Sequence, residues 1–245
     1  MFGRKKKVVD ETVEDLDEIV EIDEIDEVDE TDETDELDEI DEIIEEEETP
    51  EVDEWVQFDL SKDWREDGPF DIDEVDLSAD EVKRIDLGAM ILTPEKGMTI
   101  TLVVSPDKEI LHAVVNHGPK SAVHLTVFAA PSAGDFSATI REEIIAHTEN
   151  AKVIEKAKGP FGTELRRVVT VTDDKGREGF TPMRDWLIEG PRWVLDARLM
   201  GQAALEEGGA DAVVLEEFVR NIIVRRGEVA MVPGSVVPLK PQEEK

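Results

Sequence analysis

"MTITLVVSPDKEILHAVVNHGPKSAVHLTVF", residues 98–128, holds three β-rich runs with two short turns between them. Residues 98–104, 110–115 and 122–128 are dense in Val, Ile, Leu and Thr, which suit a pleated, half-buried surface. Ser105-Pro106-Asp107-Lys108 and Gly118-Pro119-Lys120 separate them. Turns this short cannot carry a crossover, so neighbouring runs pair antiparallel. The stretch is a meander, and residues 86–93, ahead of Pro94-Glu95-Lys96-Gly97, are expected to form its first strand.

Toward the C-terminus, Asp135 is placed to cap a helix in which Phe136, Ile140 and Ile144 share one face, while Arg141, Glu142, Glu143 and Glu149 point away from it. Residues 162–172, 179–189 and 191–200 read as three further strands, and residues 211–224 as a second amphipathic helix with Leu215, Phe218 and Ile222 inward. The order β-β-β-β-α-β-β-β-α predicts an α+β domain over residues 84–232: an antiparallel sheet with two main helices packed on it. Residues 233–245 are expected to be a loosely held Pro-rich tail. Residues 55–83 read as a linker, dense in turn residues, whose Trp55, Phe58, Trp64 and Phe70 are expected to dock onto the domain by burying ring area.

Toward the N-terminus the composition changes abruptly. Residues 22–42 repeat an aliphatic residue or Thr followed by Asp-Glu, seven times. A helix turns about 100° per residue, so a three-residue period drifts around its surface and forms no apolar stripe. A strand needs period two. With two residues in three carboxylates and no face to bury, ordering the backbone is not offset, and residues 1–54 are expected to be a disordered acidic arm. Arg4, Lys5, Lys6 and Lys7 give it a basic tip.

Of the formal net charge of −35, this arm supplies −24, from 28 acidic and 4 basic residues, leaving −11 for the rest of the 245-residue chain. So negative a field repels nucleic acid and anionic lipid, so nucleic acid is not an expected partner. The chain has no cysteine, which excludes disulfides, thiolate nucleophiles and Cys-ligated metals and is compatible with a reducing cytoplasm. MFGRKKK is followed by Val8-Val9-Asp10-Glu11 rather than a signal-peptide apolar region, and no run reaches the roughly 18 apolar residues of a membrane helix. A cytoplasmic location without stable membrane insertion is expected.

Catalytic motifs are absent. The four histidines, His112, His117, His124 and His147, show neither HExxH nor His-x-His spacing, and the seven serines include no Gly-x-Ser-x-Gly elbow. Gly159-Pro160-Phe161-Gly162-Thr163 lacks P-loop spacing, and Pro160 removes an amide from any phosphate cradle. No catalytic residue, metal or cofactor is expected. Strand parity does place polar residues together: His112, His124, Thr126, Arg166, Asp196 and Arg198 are expected on one sheet face. His124, Arg166, Asp196 and Arg198 are the candidate binding residues, either as a groove for a ligand or as a solvated face of Arg–Asp pairs.

The start MFGRKKK, Gly68-Pro69-Phe70-Asp71, Arg84-Ile85-Asp86-Leu87-Gly88, Phe128-Ala129-Ala130-Pro131, Gly159-Pro160-Phe161-Gly162-Thr163-Glu164-Leu165 and Glu189-Gly190-Pro191-Arg192-Trp193 together resemble an uncharacterised actinobacterial family of acidic cytoplasmic proteins, a domain of unknown function. That resemblance runs from about residue 68 to 239 and implies no activity. The element order also resembles the Mog1/PsbP-like fold, whose members are largely noncatalytic. The expected function is a noncatalytic binding or regulatory module for a partner protein or small ligand, with an acidic arm that solubilises it or competes for basic surfaces. Two rivals are an enzyme using a polar sheet-face pocket that encloses His124, Arg166 and Arg198, and a peripheral membrane protein docking by its basic tip. The oligomeric state is open.

Overall fold

Residues 53–132, 134–172 and 175–241 are described by a computed structural model. In chain order the elements are α1 (Glu54–Asp59), β1 (Phe70–Asp71), a single 3-10 turn (Ile72–Glu74), β2 (Ile85–Asp86), β3 (Met90–Leu92), β4 (Met98–Val104), β5 (Ile110–His117), β6 (Ser121–Ala129), α2 (Phe136–His147), β7 (Ala151–Gly159), β8 (Gly162–Thr172), β9 (Glu178–Gly190), β10 (Trp193–Gly201), α3 (Gln202–Leu205), α4 (Ala210–Arg220) and β11 (Ile223–Val224). The fold is α+β. A seven-stranded sheet has the order β4-β5-β6-β10-β9-β8-β7, every neighbouring pair antiparallel, and a small four-stranded sheet has the order β1-β11-β3-β2.

Two apolar layers hold the large sheet. On one face Val123, Leu125, Val127, Trp186, Trp193, Leu195 and Leu199 meet Leu215, Phe218 and Val219 of α4 and Met90 and Leu92 of β3. Leu215, Phe218 and Ile222 point inward, as their spacing requires, and the chain then passes directly into β11. On the other face α2 lays Phe136, Ile140 and Ile144 over Phe128, Leu187 and Val194. Its cap is Asp135, whose Oδ1 accepts from the Ala138 amide at 3.1 Å.

Several boundaries differ from the sequence reading, each for a tertiary reason. The first strand, expected over residues 86–93, is two short ones: Gly88 at φ +81° turns the chain, its amide bonded to Asp86 Oδ1 at 2.8 Å, so that β2 folds back on β3. β7 was not anticipated. It alternates Lys152, Glu155, Lys156 and Lys158 with small and aliphatic residues because it is an edge strand, ordered by pairing along β8 rather than by an apolar pattern of its own. Arg141 does not point to solvent: it is 2% exposed and its Nη2 bonds Asp59 Oδ2 at 2.9 Å.

Both ends of the expected 84–232 domain extend further. Phe70 and Asp71 of the expected linker pair in parallel with Ile223 and Val224. The tail 233–241 lies across the ends of β5 and β6, with Val236 bridging Phe128, Leu239 bridging Ile110, and Val237 and Leu239 buried. Trp55, Phe58, Trp64 and Phe70 are all half-buried, Phe58 and Trp64 with ring centroids 4.7 Å apart. The acidic arm expected over residues 1–54, with its basic tip, lies outside the described residues except for Asp53, which caps α1, and Glu54, its first residue. No helix among the described residues is long and apolar enough to cross a membrane.

Candidate functional site

α2 covers one end of its sheet face, and beside it β5, β6, β10 and β9 carry the polar residues. Their register sets the neighbours: His124 lies opposite Arg198, Arg198 opposite Asp185, and Thr126 opposite Asp196. Asp185 is fully buried and held from two sides. Arg167 of β8 donates Nη2 to its Oδ1 at 2.7 Å and Nε to its Oδ2 at 2.8 Å, and Arg198 donates Nε to Oδ1. Arg198 Nη2 also reaches Asp196 Oδ2 at 3.0 Å, and Arg167 Nη1 reaches Thr148 Oγ1, just past α2, at 3.0 Å. His112 Nδ1 shares a hydrogen bond with Thr126 Oγ1 at 2.9 Å and its ring meets that of His124 edge-on at 4.8 Å.

Burial governs the titration of this face. It pushes the Asp196 carboxyl up to about 7, with Arg198 opposing and Asp185 reinforcing the shift. It pushes His124 down to about 4, and the neighbouring His112 and Arg198 push the same way. His112 is lowered by burial and by Arg198. Asp196 Oδ1 and His124 Nε2 have no partner among the described residues.

The structure thus brings together three of the four candidates, His124, Asp196 and Arg198, and separates the fourth. Arg166 lies opposite Arg184, on the face where Trp186 points. There the fully buried Glu164 accepts from Arg184 Nη2 at 2.7 Å, from Trp186 Nε1 at 2.8 Å and from Arg166 Nε. Both parities of β8 carry an arginine, so sequence alternation alone chose the wrong one: Arg167 is the residue that joins the polar face. Asp185 was missed as well. Its signal was a carboxylate set between Met183 and Leu187 on one alternating row of β9.

A cleft of about 580 Å³ opens elsewhere, where the segment after α1 crosses the N-terminal end of α2. Its apolar wall is Leu60, Trp64, Phe161, Leu187 and Ile188, and its charged lining is Asp59, Asp63, Asp135 and Glu189 against Lys62 and Arg65. Asp59 ties the site together, Oδ1 accepting from the Thr163 amide at 2.6 Å while Oδ2 holds Arg141. Glu189 Oε2 accepts from the Ser137 amide at 3.1 Å, yet burial still raises its pKa. Lys62 Nζ stands 4.0 Å from the centroid of the Trp64 ring. Sequence reasoning missed this cleft because its parts come from residues 59–65, 134–137, 161 and 187–189.

Two stretches singled out by their motifs meet in the fold. Asp71 of Gly68-Pro69-Phe70-Asp71 accepts at Oδ2 from Trp193 Nε1 at 2.7 Å, and Trp193 ends Glu189-Gly190-Pro191-Arg192-Trp193. Gly190 lies so close under that indole that a Cβ there would stand 2.1 Å from the ring. These residues hold the linker to the sheet.

No metal-binding group of three or more His, Asp or Glu occurs among the described residues. No curated protein matches the chain. A crystal structure of a protein from Bacteroides thetaiotaomicron VPI-5482 is similar at 7% identity and a TM-score of 0.35, over 59% of this chain and 49% of that one, so the chain spans about half that protein's length. A family model matches residues 68–245, and the chain belongs to that family, described as Protein of unknown function (DUF3710).

Proposed function

We propose that the protein is a cytoplasmic, noncatalytic binding module whose folded body takes up a cationic, partly apolar segment of a partner protein. The observation that carries this is the cleft beside α2, which sets four carboxylates, Asp59, Asp63, Asp135 and Glu189, around an apolar wall that includes Trp64 and Leu187. A Lys or Arg of the partner would meet the carboxylates, and a neighbouring apolar side chain the wall. Lys62 over the Trp64 ring already displays the cation–π geometry such a group can adopt. The −24 charge of residues 1–54 attracts the same class of partner over longer range and keeps the chain soluble. The polar sheet face supports a noncatalytic reading, since Arg167, Asp185, Arg198 and Asp196 are engaged with one another and Arg166 lies on the opposite face.

The test is an amide and indole NMR titration of the full-length chain with a hexapeptide alternating Arg and Leu. Saturable shifts at Trp64, Leu187 and Glu189 are expected, lost with a Glu–Leu counterpart and reduced in Asp63→Asn/Glu189→Gln. Shifts confined to residues 1–54, or none, would refute the cleft as the site.

A further inference from the structure

Carboxylates outnumber Lys and Arg 62 to 27 along the chain, so an arginine seldom lacks a partner. Arg65, Arg84, Arg141, Arg167, Arg220 and Arg225 each hold a carboxylate, nitrogen to oxygen 2.6–2.9 Å. Arg192 and Arg226 hold none among the described residues, and they are neighbours. Both reach the bend that follows β11: Arg192 Nη2 donates to the Gly227 carbonyl at 3.2 Å, and Arg226 Nη1 to the Val229 carbonyl at 2.9 Å. Arg226 is 8% exposed, and its Nε is buried with no acceptor. Burial lowers its pKa, and the charge of Arg192 lowers it further. Glu228, on the same bend, is exposed and forms an ion pair with neither arginine. A guanidinium cannot shed its proton to relieve such repulsion. The pair is short of a counter-anion.

We propose that Arg192 and Arg226 bind the phosphate group of a small phosphorylated ligand where the β9–β10 turn meets the bend 226–229. The class of ligand follows from the donors. Planar guanidinium forks match the oxygens of a phosphate, and two fixed positive charges suit a phosphate monoester, which carries about −1.5 to −2 near pH 7. A carboxylate brings a single charge and leaves the second arginine unneutralised. A polyanion such as nucleic acid, or an anionic membrane, is repelled by a chain of net charge −35, and a small ligand far less. The frame around the pair is fixed while the space beside it is open. Arg192 sits at φ +61° in the turn, its carbonyl accepting from the Ala130 amide at 2.9 Å. Arg226 follows Arg225, whose amide donates to the Ala89 carbonyl at 2.8 Å. Gly227, at φ +73°, has nothing within 4 Å of where a Cβ would stand, and residues 227–230 are exposed. The cleft beside α2 is lined by neither arginine, so this site does not depend on the cationic partner proposed for that cleft.

The test is an NMR titration of the full-length chain, read at the arginine Nε–H and Gly227 amide signals, with phenyl phosphate and separately with inorganic phosphate at constant ionic strength. Saturable shifts at Arg192, Arg226 and Gly227 are expected, with a Kd of about 1 mM or tighter, and none with acetate. Arg192→Gln is expected to weaken binding about tenfold or more without lowering the melting temperature, and Arg192→Lys, which keeps the charge but not the fork, to fall between. Arg226→Gln is expected to weaken it as well. Arg192 is exposed, so its variants test the site even where Arg226→Gln disturbs the bend. Tighter binding of phenyl phosphate points to an ester and tighter binding of inorganic phosphate to the free ion, and either supports the site. No saturable shift up to about 50 mM, an equal response to acetate, or binding unaltered in Arg192→Gln would overturn the proposal and leave Arg226 to water alone.

Discussion

Arg167 and Asp185 form a buried two-point ion pair, at 2.7 and 2.8 Å, between the adjacent strands β8 and β9. Removing one partner strands the other charge in a medium that cannot solvate it. Asp185→Ala is expected to destabilise the chain by about 3–5 kcal/mol. Arg166→Ala, on a third-exposed side chain of the same strand, is expected to cost under about 1 kcal/mol. Urea unfolding of the two variants compares them, and equal losses would contradict the assigned faces.

Asp196 is expected to leave a signature on stability against pH. Its folded pKa of about 7 lies above the ordinary carboxylate value near ~3.9, so between the two the folded chain keeps a proton that the unfolded chain releases. The stability from this group is complete below about pH 4 and is lost as pH rises through about 7. The melting temperature of the unmodified chain, relative to Asp196→Asn, should fall across that window and then level off. A pH-independent difference would show that Asp196 does not titrate there.

His124 acts in the opposite sense. Held near 4 in the folded chain against an ordinary value of about 6.5, it stays neutral while the unfolded imidazole takes a proton. Its contribution is present above about pH 6.5 and lost as pH falls toward about 4. Between those limits the two groups oppose each other, so the unmodified chain should show a flatter profile than either His124→Gln or Asp196→Asn. Imidazole proton shifts that moved with a midpoint near ~6.5 would contradict the buried, neutral assignment for His124.

Asp71→Ala is expected to loosen the segment ahead of β2. It leaves the Trp193 indole N–H, on a side chain with no exposure, without its acceptor, at a cost of about 1–3 kcal/mol. Limited proteolysis should then cut within residues 60–83 faster than in the unmodified chain, and unchanged cutting would mean that other contacts anchor the segment.

Truncation after residue 232 removes Val237 and Leu239 from the core, each worth about 1.5–3 kcal/mol of burial. The shortened chain is expected to unfold at lower denaturant concentration. An unshifted midpoint would restore the view of the tail as loosely held.

The meander 98–128 was legible in the sequence because its turns are too short for anything but antiparallel pairing, and α4 because Leu215, Phe218 and Ile222 recur at helical spacing. The charge divide at about residue 54 was legible for a simpler reason: composition is additive and needs no coordinates. Strand alternation also grouped His112, His124, Thr126, Asp196 and Arg198 correctly, since period two is a local property of the backbone.

What only the tertiary structure decided lies where local signals were balanced or where the determining partner is distant. In β8 Arg166 and Arg167 take opposite faces by alternation, and it is the register with β9, putting Arg184 opposite one and Met183 opposite the other, that decides which of them joins the polar face. β7 has no apolar period and exists because β8 supplies its hydrogen bonds. Asp71 meets Trp193 across more than a hundred residues, and the cleft beside α2 is assembled from four separate segments. Pairing, burial and enclosure belong to pairs and groups of residues, and which groups meet is settled only once the chain has closed.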